Sequence, residues 1–466
     1  MASDFELRDS TALISIPASR ACGNKLPDSE PDSGSSKQPD GLRRYLLGVM
    51  LMVIFMFMLK FLAASLIDGE QIQPLLDWFD SREKVPAGIV LDYEGAFPDI
   101  VQITPRFSTR YQWQPLPSIA PDPADNLWSK DKAQLGERLF FDINLSHDRS
   151  VSCASCHDNE QHSGADGRTT AVGVGDQVGP RNTPTVWNSA FQQRLFWDGR
   201  ATSLEEQAIG PLLNPIEMAM PSVEAVVARV KESAEYEPMF EKAFGTENKH
   251  DDSSGITIRQ ITAAIAAYQR TLITPNTPYG RYVRGESEAL SVEQLKGMAL
   301  FEELGCINCH SGPNFSGAGI MANNSPWRIF PVLDTQFEPQ YHLTDDVGKA
   351  VAGSQKGVWR IPSLRNVAKT GPYLHNGSVT ELAEVVRIMA SAQLGHRLEA
   401  DLENQHENTI FTPRSNGESL VWSAETRSLI PIEVRTVTEE EVAAIVVFLE
   451  SLNGELVVDY AGGRSK

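Results

Sequence analysis

Cys153-Ala-Ser-Cys156-His157 and, far downstream, Cys306-Ile-Asn-Cys309-His310 spell one pattern twice: two thiols two residues apart and an imidazole immediately after. Thiols at this spacing can add to the two vinyl groups of one haem, and the next residue then sets an imidazole beneath the iron as proximal ligand. Four of the five cysteines are used in this way, leaving only Cys22. Zinc sites built from paired C-x-x-C usually keep about 15–20 residues between the pairs, whereas Cys156 and Cys306 are 150 positions apart. A thiol-redox motif expects a βαβ setting, and no such alternation is visible. The pattern predicts two covalently bound c-type haems, one on Cys153, Cys156 and His157, the other on Cys306, Cys309 and His310.

Around these motifs the patterning is helical. SLEEQA at 203–208 reads as a capping box, with Ser203 as N-cap and Glu206 three residues on. In 256–272, Ile258, Ile261, Ile265, Tyr268 and Leu272 fall on one face at helical spacing. Residues 291–305 carry a second box in Ser291 and Gln294, with Gly305 as the stop. Residues 380–395 and 438–454 repeat the pattern, and apolar–polar alternation is scarce. The expected class is mainly α with long loops. Residues 396–437 carry no clear signal, and HRLEADLENQHENTI within them reads as polar and exposed.

Apolar residues at 41% and charged residues at 22% are ordinary globular values, which excludes a wholly disordered chain. The net charge of −20, nearly all of it beyond residue 68, argues against nucleic acid as a partner, since phosphate binding needs a basic footprint. Tyr45 to Ile67 is apolar apart from Lys60 and long enough for the roughly 20 residues that span a bilayer core. Arg43 and Arg44 precede it and Asp68, Glu70 and Asp77 follow, so the positive-inside tendency puts the N-terminus in the cytoplasm. The expected plan is a disordered cytoplasmic tail at 1–42, a single transmembrane anchor at 43–67, a linker at 68–130 with 115–125 extended, and haem domains at 131–278 and 279–466. The expected location is a bacterial inner membrane, single-pass, with the catalytic part periplasmic.

Four stretches, at 135–158, 179–220 (GPRNTPTVWNSAFQQRLFWDGRATSLEEQAIGPLLNPIEMAM), 306–316 and 359–395 (WRIPSLRNVAKTGPYLHNGSVTELAEVVRIMASAQLG), together resemble the bacterial di-haem cytochrome c peroxidases. The likeness runs over roughly residues 131–460. It implies two cytochrome c-like helical domains, the first with the peroxidatic haem and the second with the electron-receiving haem. It also implies reduction of hydrogen peroxide by electrons from a small donor such as cytochrome c or a cupredoxin, with a homodimer left open as the assembly.

Carried over position by position, the resemblance makes His157 and His310 the proximal ligands and Met389 the sixth ligand of the second iron. Glu217 matches the distal carboxylate that moves a peroxide proton, and Gln207 a distal amide beside it. Trp197 matches a tryptophan between the haems. Asn182, Thr370 and Pro372 match a calcium site of one side-chain oxygen and two carbonyls, suitable hard ligands.

One position departs. Many members close the peroxidatic iron in the resting state with a histidine in the loop corresponding to 171–182, and that position here is Val174. His162, the nearest upstream histidine, lies too close behind His157 to replace it. Two other readings share the motifs. A relative of the di-haem enzyme that matures methylamine dehydrogenase also lacks the closing histidine, but uses a tyrosine where Met389 stands. A non-catalytic electron-transfer cytochrome has no use for Glu217, Gln207 or an open iron.

Overall fold

The computed structural model describes residues 111–245, 255–322, 325–349, 357–400, 418–423 and 428–457, with backbone alone for 418–423 and 428–433. All lie within one compact unit, Val85–Lys466. Helices are α1 (Lys130–Phe140), α2 (Cys153–Cys156), α3 (Leu204–Leu213), α4 (Val223–Lys231), α5 (Tyr236–Phe244), α6 (Ile258–Gln269), α7 (Pro278–Val283), α8 (Val292–Glu303), α9 (Phe337–Tyr341), α10 (Leu382–Ile388) and α11 (Glu439–Glu450). Strands are short: β1 (Trp327–Ile329), β2 (Val358–Arg360), β3 (Arg397–Leu398), β4 (Glu418–Ser423), β5 (Ser428–Glu433) and β6 (Thr436–Val437). They pair as β1 with β2, β3 with β6 and β4 with β5. The mainly helical class expected from the sequence is what forms. Among the described residues no helix is long and apolar enough to cross a membrane; the expected tail and anchor, 1–67, lie outside the described residues.

A helix pair is built twice. Gly136 on α1 meets α6 so closely that a Cβ there would stand 1.8 Å from the Ala264 carbonyl oxygen, and Gly297 on α8 meets α11 at 1.9 Å from that of Ala444. Only a residue without a side chain permits backbones to approach this far. The flanking side chains then interdigitate into two cores. One holds Leu135, Leu139, Phe140, Ile261, Ile265 and Tyr268; the other holds Trp113, Phe301, Phe315, Ile445 and Phe448. Each of α6, α8 and α11 starts at a complete capping box, Thr257 with Gln260, Ser291 with Gln294 and Thr438 with Glu441, and Gly305 (φ 85°) follows α8 as expected. At α3 the box is half made. Ser203 accepts from the Glu206 amide, but the Glu206 carboxylate turns to Thr202 N at 2.7 Å.

The repetition extends into the loops. Asn188 and Asn366 are both left-handed (φ 60° and 61°), as are Phe196 and Leu374, and Gly199 and Gly377, each pair separated by the same number of positions. The bridges Leu195–Ala201 and Tyr373–Val379 keep that spacing. The two asparagines meet at Thr274: Asn188 Nδ2 donates to Thr274 Oγ1 and Thr274 Oγ1 to Asn366 Oδ1, both at 2.9 Å. All three are fully buried, and a buried polar group is retained only when its hydrogen bonds are met.

Two stretches differ from their sequence reading. Residues 115–125 are non-helical as expected of a linker, yet they are packed: Leu116 and Ala120 are buried beside Phe191 and Leu195, and Trp113 just before them is fully buried. The polar 396–437 stretch begins with buried His396 and Leu398. It holds an antiparallel hairpin, β4–β5, between the paired ends β3 and β6. Hydrophobic periodicity is weak in both, and their order comes from tertiary contacts.

Substituting Gly297→Val is expected to lower the unfolding free energy of the holoprotein by about 1–3 kcal/mol through overpacking. Gly179→Ala, where a Cβ would meet its nearest neighbour at 3.4 Å, is expected to cost less. Denaturant melts of the two variants check this.

Candidate active site

Helix α2 is a single turn whose cap, His157, donates its backbone N–H to the Cys153 carbonyl at 3.0 Å. The His157 ring then points Nδ1 at the Gly164 carbonyl, 2.9 Å away. A carbonyl only accepts, so Nδ1 carries the proton and Nε2 is the nitrogen with a free lone pair. The second motif repeats this: the backbone N–H of His310 bonds the Cys306 carbonyl at 2.9 Å and its Nδ1 the Phe315 carbonyl at 3.1 Å. Burial lowers the pKa of both imidazoles, His310 to about 4, so each is neutral and able to ligate. None of the four thiols is in a disulfide. Burial pushes Cys153 and Cys306 up to about 12 and Cys156 up to about 11, so with no ligand bound these three are un-ionised thiols.

Above the first motif lies a largely apolar cavity, partly open to solvent. Cys153, Cys156 and His157 line it together with Gln207 and Glu217, and Phe140, Val151, Ile216, Met218 and Ile265 make its apolar wall. Gln207 and Pro211 project from one face of α3, four residues apart. Glu217 follows in the turn after α3, where its Oε1 accepts from Asn214 Nδ2 at 2.6 Å. Burial raises the carboxyl pKa, while Arg200 and the Asn214 bond oppose the shift. The expected residues Cys153, Cys156, His157, Gln207 and Glu217 therefore share one cavity.

The 171–182 loop closes over that cavity. Val174 is buried, and its N–H donates to the Glu217 carbonyl at 3.0 Å. Gly173 beside it has no room for a Cβ, which would stand 1.9 Å from the Ile216 carbonyl oxygen. At its far end Arg181 forms a bidentate pair with Asp346, at 2.7 and 3.0 Å, and a third bond to Asp198 at 2.8 Å.

Trp197 donates Nε1 to the Asn182 carbonyl at 2.8 Å and meets His375 edge-on at 6.5 Å. Asn182 is buried; its N–H bonds the His375 carbonyl and its Nδ2 the Arg168 carbonyl, both at 2.8 Å. Thr370 and Pro372 lie on the turn leading to His375. Met389 stands where α10 gives way to a π-helical turn, Met389–Gln393, and packs half-buried on the second core, as do Cys306 and Ile307. Such π turns are frequent at functional positions.

Two residues escaped the sequence reading. Gln269 lines the first cavity while nearly fully buried, with its Oε1 unpaired; a glutamine one turn beyond Ile265 on an apolar face was the available signal. His375 is buried with Nε2 unpaired and stacks on Trp359 at 4.0 Å, a contact between distant positions that no local pattern announces.

The donor set fits haem: paired neutral thiols, an imidazole fixed by its Nδ1 bond with Nε2 free, and at the first motif a largely apolar cavity lined by both thiols and the imidazole. The comparisons agree. Residues 130–288 match the family described as di-haem cytochrome c peroxidase. The chain is 38% identical over 292 residues to the cytochrome c551 peroxidase of Pseudomonas aeruginosa, covering 62% of this chain and 80% of that one. It is 36% identical over 276 residues to the methylamine utilization protein MauG of Methylophilus methylotrophus, covering 58% and 76%. Among solved structures, a MauG-like protein associated with microbial copper homeostasis superposes with a TM-score of 0.57 at 30% identity, over 75% of this chain and 97% of that one. The fold and the paired motifs define a di-haem c-type oxidoreductase. The chain belongs to the di-haem cytochrome c peroxidase family, whose curated relatives here include both peroxidases and MauG proteins, and that family implies two c-type haems.

Replacing Cys153 and Cys156 together with alanine is expected to lower covalent haem from two per chain to one, read by intact mass and haem assay; C306A/C309A should do the same independently.

Proposed function

We propose that the protein reduces hydrogen peroxide to water at the first haem, with electrons taken from a small redox protein through the second. The observation that carries this reading is the cavity in which Glu217 and Gln207 share walls with Cys153, Cys156 and His157. When bound there, haem supplies the iron that binds and reduces peroxide. Glu217 takes a proton from the inner peroxide oxygen and returns it to the outer, leaving oxygen; a carboxyl group whose pKa is raised by burial suits both steps. Gln207 hydrogen bonds the bound oxygens, and the apolar wall keeps bulk water from competing for the proton. Met389 would hold the second haem's iron, where a thioether ligand would favour electron acceptance. Trp197 lies on the electron path.

Val174 gives the reading its particular form. Valine cannot ligate iron, so the loop would supply no closing imidazole and, with haem bound, the first site would be open without prior reduction. The carbonyl of Glu217 ties that loop to the turn bearing the distal carboxylate. Further parts of the proposal are calcium held through Asn182, Thr370 and Pro372, an anchor at 43–67 with residues 68–466 in the periplasm, the two haem domains at 131–278 and 279–466, and a basic cytochrome c or cupredoxin as donor, steered by the acidic ectodomain. Val174 also favours a second reading, oxidation of a protein substrate as in methylamine dehydrogenase maturation; Met389 in place of tyrosine speaks against it.

Glu217→Gln is expected to cut kcat/KM for peroxide by about 10²–10⁴-fold with both haems retained, measured with reduced cytochrome c as donor. Because Glu217 acts ionised and its pKa is raised, the acid limb of the wild-type kcat/KM profile should lie above the ordinary carboxylate range, and activity should fall as pH drops through it. That limb should vanish in Glu217→Gln. The oxidised protein should give a high-spin ferric EPR signal beside a low-spin one; two low-spin signals alone would refute the open first site.

A further inference from the structure

The attachment motifs repeat in sequence but not in charge. Asp166 and Glu217 both act on Cys156, with Arg168 opposing them. At the second motif a cation, Arg328, acts on His310 and Cys309. Its side chain is turned onto the Cys306–Asn308 turn, where Nε donates to Cys309 Sγ at 3.2 Å and Nη2 to the Asn308 carbonyl at 3.0 Å. Nη1 bonds the Trp327 carbonyl at 2.9 Å. The residue sits mid-strand in β1, in register opposite Trp359 of β2, so the sheet fixes its position and three bonds fix its planar fork.

We propose that Arg328 is a positioning residue that raises the reduction potential of the second haem and makes it the resting place of the donor's electron. Cys309 Sγ is one of the two sulfurs through which the macrocycle would be joined to the chain. A cation beside that atom disfavours the oxidised haem, which carries one more positive charge than the reduced one. An N–H donated to the sulfur withdraws electron density in the same sense, and net charge and hydrogen bonds to ligating groups are established determinants of such potentials. Asp166 and Glu217 act oppositely at the first motif, and the two sites are held apart in potential by side chains the repeat does not share.

The inference rests on reading Cys306–His310 as the electron-receiving site, and its test needs no peroxide. Spectroelectrochemical titration of the holoprotein is compared for wild type, R328Q, R328K and the control R281Q, which removes a surface cation paired with Glu286. R328Q should weaken reduction of the higher-potential haem by tenfold or more in equilibrium constant, which is about 59 mV for one electron. The lower transition should hold still, R328K should fall between, and R281Q should move neither. Unchanged potentials in R328Q with both haems attached, equal shifts of both transitions, or loss of the second haem in both Arg328 variants would each overturn the assignment. A shift in a protein that never consumes peroxide would sink the proposed function and leave this inference standing.

Discussion

Each imidazole is fixed by one bond from its Nδ1 to a backbone carbonyl, Gly164 for His157 and Phe315 for His310. That bond decides which nitrogen is free and in which direction it points. Because the carbonyl belongs to the loop just after the motif, the loop has to fold before the ligand is aimed. Gly164 is left-handed at φ 80° and a Cβ there would stand 2.6 Å from the Trp187 ring, so a single glycine serves both the turn and the packing beneath it. Second-sphere bonds of this type set ligand basicity as well as orientation.

The duplicated scaffold accounts for how two such centres are held in one body. Gly136 and Gly297 allow the same close helix crossing in each half, and Asn188 and Asn366 supply the same left-handed turn. Thr274 joins those two turns through side chains that are wholly out of water. An unmet partner in that knot would cost on the order of 1–3 kcal/mol, which ties the integrity of each turn to that of the other. The Arg181–Asp346 pair makes a second link, from the loop over the first cavity to the segment that follows α9. Both links join residues far apart in the chain.

Local patterns in the sequence carried much of this. The thiol–thiol–imidazole spacing announces both attachment sites, since adjacent residues alone make the chemistry. The capping boxes at Ser291 and Thr438 mark helix starts because the cap and its partner are three residues apart. Ile261, Ile265, Tyr268 and Leu272 of the stripe are buried and Ile258 partly so, yet Ala263, Ala264, Ala266 and Ala267 are buried too; a helix packed on both sides hides half its contacts from a one-face reading. What stayed illegible depends on distant partners. His375 takes its character from Trp359 and Trp197, Arg328 from Cys309, and the unpaired Gln269 oxygen from a cavity assembled out of α1, α3 and α6. None of these pairings leaves a periodic trace.

The spacing that relates Asn188 to Asn366 also relates the start of α3, Leu204, to the start of α10, Leu382, and it sets Pro211 opposite Met389. Pro211 lines the first cavity; Met389 begins the π turn on the second core. One position of one repeated helix thus carries a cyclic side chain with no donor atom in the first half and a thioether in the second. A proline in that place cannot reach a metal, and Val174, on the loop over the same cavity, cannot either. The proposed division of labour, an open iron before Glu217 and a sealed one after it, then needs no difference in fold between the halves. It follows from two side chains lacking a lone pair on one side, and from a sulfur at the matching helix position on the other.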